Sequence, residues 1–200
     1  MQMTGHIDIS TLMSLETYSK WRKVNQSNVI AHRRLRSVQL GGHLNIQFES
    51  EMTVRYQIQE MLRIEKIFEE DGIQSEIETY APLMPTGRNW KATVLLEYPD
   101  VDDRRKALAQ LIGIEDRLYV QVGDLERVYA IADEDLDREN EEKTSAVHFC
   151  RWELTETMCA ALAAGALLSV GCDHPNYIEQ IVVTGDARSS LLTDLHVVAL

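Results

Sequence analysis

Cysteine, proline and long apolar runs are scarce in this chain, and each scarcity excludes something. Three cysteines (Cys150, Cys159 and Cys172) among 200 residues are an odd count without CxxC spacing. That excludes a disulfide scaffold and reads as three reduced thiols. Four prolines and ten glycines form no Gly/Ser-rich or Pro-rich linker, and no repeat interrupts the chain, so one domain over 1–200 is the simpler count. The longest apolar stretch, Met158–Gly171, is broken by Gly165 and is too short to cross a bilayer. Met1–Ser10 lacks the basic start and apolar core of a secretory signal. The expectation is a cytoplasmic protein without a membrane partner. Positive charge is short as well: the net charge of −12 is a poor basis for holding a nucleic acid. Also missing are GxSxG, GxxxxGK[ST], HExxH and a GxGxxG after a strand, so no complete catalytic signature is present. What remains is an ordinary soluble composition, 44% apolar and 26% charged. A chain of this size buries roughly 70% of its unfolded surface and needs no metal for stability. No tightly bound cofactor is expected.

The apolar pattern gives α+β, with a mostly antiparallel sheet, one long packed helix and several shorter ones. Asp8 and Ser10 are N-cap candidates for an opening helix whose register breaks around Asn25–Asn28. Gly41-Gly42-His43 then separates Ser37–Leu40 from Leu44–Phe48. A two-residue loop would set Val38 opposite Asn45 and mix the faces. A three-residue loop pairs Leu40 with Leu44 and Val38 with Ile46, so the hairpin is the three-residue one. Val54, Ile58, Met61, Leu62 and Phe68 predict a helix over Ser50–Asp71, stopped by Gly72, whose Val54/Ile58/Leu62 face packs on the sheet. Further helices are predicted over Gln74–Tyr80, Asp102–Leu111 (capped by Asp100), Thr155–Ala164 and Ala187–Leu195 (capped by Asp186). Strands are predicted over Trp90–Tyr98, Arg117–Val122, Glu126–Ala132, Thr144–Leu154, Leu167–Cys172 and Tyr177–Val183.

Charge is unevenly placed. Thr17–Phe48 holds six basic residues and no acidic one, whereas Asp133–Glu142 holds seven carboxylates against Arg138 alone. Asp133, Asp135 and Asp137 imitate the start of a calcium loop. Arg138 stands where that loop needs glycine and Thr144 where it needs glutamate, so the run reads as a solvated connector. Arg33, Arg34 and Arg36 are candidates for docking a protein partner. On the long helix, Arg55, Gln59 and Arg63 recur every four residues. Forked donors of this kind hold carboxylates or phosphates. With Arg88, Asn89, Lys143, Ser145 and His148 they make a candidate pocket for a small anion, in which His148 is the one side chain that titrates near neutrality. His148, Cys172 and His174 are a weaker metal set, conditional on their strands being neighbours.

Six segments carry a resemblance: TVRYQIQEMLRIEKIFEE (Thr53–Glu70), the PTGRNWKA stretch of Ala81–Ala92, LIGIEDR (Leu111–Arg117), ADEDL (Ala132–Leu136), EKTSAVHF (Glu142–Phe149) and Asp173-His174-Pro175. Together they resemble bacterial proteins of about this length grouped as domain-of-unknown-function family 3501. The resemblance implies a setting and no catalytic residue. Members of the family it resembles are often encoded beside a rubrerythrin-like protein and an iron–sulfur oxidoreductase subunit, and the resemblance therefore implies a part in redox or peroxide handling. Two functions follow as expectations. One is a non-catalytic accessory protein docking on a redox partner, with a homo-oligomer compatible with it. The other is an enzyme or anion-binding protein built on the pocket residues, with a metal at His148 and His174.

Overall fold

The computed structural model describes residues 6–134 and 142–196. It has the α+β architecture expected, and the chain divides into two compact units. One comprises residues 1–34 and 49–85, the other 35–48 and 86–200. No helix among the described residues is long and apolar enough to cross a membrane.

The first unit is helical. Asp8 caps a short turn at Ile9–Thr11, and α1 then runs unbroken over Leu15–Leu35. The break expected at Asn25–Asn28 is absent, because the polar residues there lie on a helix that extends well past them. Helix α2 (Glu51–Glu65) starts on a reciprocal cap between Ser50 and Thr53. It closes earlier than predicted, at Lys66, which takes the left-handed conformation (φ 56°) more usual for glycine. Gly72 therefore lies inside α3 (Glu70–Tyr80) rather than at a helix end. Phe68, falling between the two helices, is 69% exposed and is not part of the apolar stripe. Val54, Ile58 and Leu62 are buried with Ile7 and Ile77 in a cluster belonging to this unit. The stripe expected to pack on a sheet is thus satisfied within the helical unit.

Glu60 ties α1 to α2. It accepts hydrogen bonds from the Tyr18 hydroxyl (2.8 Å), Arg22 Nε (2.8 Å) and Arg63 Nε (3.1 Å). Burial pushes its carboxyl up, but the bonds from Arg63, Arg22 and Tyr18 outweigh burial and hold it at about 2. A folded-state value below the unfolded one stabilises above the unfolded value, near 4.5, and that stability is lost as pH falls toward 2. Glu60→Gln is expected to cost about 2 kcal/mol at neutral pH. The difference from the parent should close between pH 4.5 and 2, as read by urea melts. A difference constant across that range would refute the assignment.

The second unit holds two antiparallel sheets. In the first the order is β1 (Ser37–Leu40), β2 (Leu44–Phe48), β3 (Asn89–Leu96), β7 (Val147–Glu153) and β6 (Ile131–Ala132). In the second it is β5 (Val128–Tyr129), β4 (Leu118–Val122), β8 (Leu168–His174) and β9 (Tyr177–Val183). The first hairpin has the predicted register, Leu40 opposite Leu44 and Val38 opposite Ile46, with Gly41 in the left-handed region. The strand expected over Glu126–Ala132 splits instead: β5 pairs with β4 in one sheet, and β6 pairs with β7 in the other. Apolar residues of both sheets, including Phe48, Trp90 and Trp152, share one core. Helices α4 (Val101–Gln110, capped by Asp100), α5 (Glu156–Ala163, capped by Thr155) and α6 (Gly185–Leu192) complete the unit. The residue at the α6 cap is Thr184 and not Asp186, which lies in the first helical turn.

Candidate functional site

The long-helix residues proposed for a pocket serve the helical unit itself. Arg55 is buried, paired with Glu51 (2.7 Å), and donates to the Thr11 hydroxyl (2.8 Å) and the His6 carbonyl. Gln59 exchanges two hydrogen bonds with the Met13 backbone, at 2.9 and 3.2 Å. Both hold the segment before α1 onto α2, and Arg63 is bound to Glu60. In the other unit, Arg88 pairs with Glu156 on the surface. Asn89 bonds Thr86 and Glu153, and Lys143 is exposed. Ser145 and His148 are joined by a hydrogen-bonding contact, through the Ser145 carbonyl at 3.1 Å from His148 Nε2.

The metal set His148, Cys172 and His174 does not assemble. β7 and β8 belong to different sheets, so the condition for it fails. The His174 ring is occupied by the Ile112 carbonyl (3.1 Å) and the Asn176 N–H (3.2 Å). Burial pushes the Cys172 thiol up to about 11 and the Cys150 thiol well above its usual range. All three cysteines are buried and unpaired.

His148 has different neighbours. Its β-strand alternation turns it inward with Cys150 and Trp152, and it is fully buried. Nδ1 lies 2.5 Å from Asp133 Oδ2. Asp133 follows β6, has a left-handed backbone (φ 47°), and accepts the Phe149 N–H on its other oxygen at 2.9 Å. Nε2 lies 3.0 Å from the Thr144 hydroxyl and 3.7 Å from Glu115 Oε2. Glu115 comes from a single helical turn before β4 and is itself buried. Glu115, Asp133 and His148 offer ligand atoms all within 4.8 Å of one another. Sequence reasoning missed Glu115 and Thr144, and it placed Asp133 in a solvated run. A signal was nonetheless there: the donors come one each from LIGIEDR and ADEDL, and the rest from EKTSAVHF, three of the segments that carry the resemblance. The remaining acidic positions of the calcium-like run, Asp135 and Asp137, lie outside the described residues.

The basic arm divides. Arg36 is 1% exposed and turned into the second unit, where it pairs with Asp194 and donates to the Phe48 carbonyl and to Ser190. It is not a docking residue, because its guanidinium is spent on these buried partners. Arg34 is exposed and Arg33 half-buried. With Lys20 and Lys23 exposed further back on α1, beside Val24 (75% exposed) and Ile30 (44%), a mixed basic and apolar stripe faces solvent.

A family model described as "Protein of unknown function (DUF3501)" matches residues 6–195. A crystal structure titled as a novel protein of unknown function from Burkholderia pseudomallei is similar, with 53% identity, a TM-score of 0.89, and coverage of 95% of this chain and 99% of that one. No curated protein matches.

Proposed function

The chain belongs to the DUF3501 family, and from that premise we propose that it is a non-catalytic accessory protein that docks an acidic protein partner on α1. The observation that carries this is the outward stripe of α1, where Lys23 and Arg34 flank exposed Val24 and Ile30, and where Lys20 is already paired with Glu16 (2.7 Å). On a chain of net charge −12, a cationic stripe with apolar residues between its charges is suited to a partner of opposite charge. The redox character of that partner rests on the neighbourhood that the resemblance implies, and a cytoplasmic setting on the three buried, unpaired thiols.

The test offers the full chain to the two neighbouring gene products, a rubrerythrin-like protein and an iron–sulfur oxidoreductase subunit, each purified. Binding to one of them is expected, weakening as salt rises past about 0.1 M, where screening reaches within about 10 Å. Lys23→Glu with Arg34→Glu should weaken it at least about tenfold, mostly through slower association. Failure of both proteins to bind at micromolar concentration, or binding indifferent to the charge reversal, overturns the proposal. A second reading, an enzyme or small-anion binder, has one observation in its favour: Thr144, His148 and Asp133 align a hydroxyl, an imidazole and a carboxylate at 3.0 and 2.5 Å. Loss of peroxide tolerance in cells carrying His148→Asn, with partner binding intact, would favour it.

A further inference from the structure

Oxygen atoms surround both nitrogens of the His148 ring, and we propose that Nε2 serves a divalent first-row metal ion held by His148, Glu115 and Thr144. The two sides of the ring differ in a way that decides their roles. Donors about 2.1 Å from one metal stand about 3.0 Å apart at a right angle and about 3.4 Å apart in a tetrahedron. Asp133 Oδ2 and Nδ1, at 2.5 Å, are too close to share an ion. Their separation is that of a short hydrogen bond, with Nδ1–H donating to the carboxylate. Asp133 is therefore the positioning residue that sets the ring's tautomer and aims Nε2 forward.

On the forward side the spacing opens. Thr144 Oγ1 lies 3.0 Å from Nε2 and 3.3 Å from Glu115 Oε2, and Glu115 Oε2 lies 3.7 Å from Nε2. These three edges form a triangle of one nitrogen and two oxygens that an ion at ordinary bond lengths can cap. The Ser145 carbonyl, 3.1 Å from Nε2, is a third oxygen on the same side. With Nδ1 carrying its proton, Nε2 is left as an acceptor, and it faces the Thr144 hydroxyl, which can donate to it, beside a carbonyl and a carboxylate. One ring nitrogen among three oxygens is served by that hydroxyl proton, by a second ring proton or by a metal. The donor chemistry selects the class of ion: an imidazole beside a carboxylate and neutral oxygens suits Mn²⁺, Fe²⁺, Co²⁺ or Zn²⁺ better than Mg²⁺ or Ca²⁺. His148, Thr144 and Glu115 are each nine-tenths or more buried, and Glu115 is brought to the other two from 29 positions before Thr144. This sets them apart from adventitious histidines at the surface, such as His6 and His43.

The experiment uses the full chain, purified without a histidine tag, stripped with a chelator and titrated with Co²⁺ while visible absorption is followed. One equivalent should bind, with ligand-field bands, and Zn²⁺ should displace it. Glu115→Gln and His148→Asn should each weaken binding at least about tenfold, and Asp133→Asn about 10–100-fold, the usual loss when the carboxylate behind a metal-bound histidine is removed. Thr144→Ser, which keeps the hydroxyl, should bind as the parent does. Lack of saturable binding overturns the proposal, as does binding that survives both Glu115→Gln and His148→Asn. Should those variants fail to fold, ¹⁵N spectra of the parent's histidine rings decide instead. Nε2 of His148 must shift on adding one equivalent of Zn²⁺. An Nε2 that carries a proton and does not respond shows that the cation is the proton, and the metal proposal is wrong.

Discussion

Replacing Asp194 by alanine is expected to cost about 3–5 kcal/mol, the usual result when one member of a buried ion pair is removed. Its partner, Arg36, is 1% exposed and cannot turn out to water. Arg36 Nε donates to the Phe48 carbonyl at 3.1 Å, and Nη1 to the Ser190 carbonyl at 2.9 Å, so the guanidinium is fixed between the end of β2 and the end of α6. The alanine variant keeps those neutral bonds and removes the countercharge. Most domains are stable by only about 5–15 kcal/mol, so the variant should unfold at markedly lower urea. A cost under about 1 kcal/mol would mean that the pair is solvated. The double variant Arg36→Met with Asp194→Leu should recover much of the loss, because apolar replacement of a whole buried pair is often neutral. Burial pushes the Asp194 carboxyl up to about 6 against the pull of Arg36. With the folded value above the unfolded one, near 3.8, the stability this carboxyl brings is full below pH 4 and declines as pH rises through about 6. Asp194→Asn should flatten that slope.

Ile58→Ala is the second large effect, expected at about 2–5 kcal/mol because it deletes a fully buried side chain and leaves a cavity. The site is unforgiving. The buried apolar cluster of the helical unit is Ile7, Val54, Ile58, Leu62 and Ile77, so one truncation removes a large share of it. Phe68→Ala is the control: the ring is mostly exposed, and the change should stay within about 0.5 kcal/mol. Equal costs for the two would show that the stripe continues through Phe68, as the spacing in the sequence suggested.

That contrast shows where sequence reading stops. Spacing of three and four predicts a helical face, but it does not say where the helix closes when a non-glycine residue takes the left-handed cap, as Lys66 does. The hairpin was legible to the residue, since a slip of one position sends Val38 and Ile46 to the wrong face. The split of 126–132 between two sheets was not, because β5 and β6 have the same local pattern and differ only in which strand lies beside them.

The sequence by itself determined what depends on neighbours three or four residues away. The α+β class, the cap at Asp100, the Leu40–Leu44 register and the family resemblance all followed from short spacings. Only the tertiary structure decided the fate of the charges. Arg36 reads as one cation in a basic run until Asp194, 158 residues away, is set against it. Asp133 reads as part of a solvated acidic connector until His148 lies beside it, and Thr144 reads as a strand residue until Glu115, 29 positions earlier, reaches its hydroxyl. Burial and ion pairing depend on distance in space, and over such separations the spacing of residues in the chain carries no measure of it.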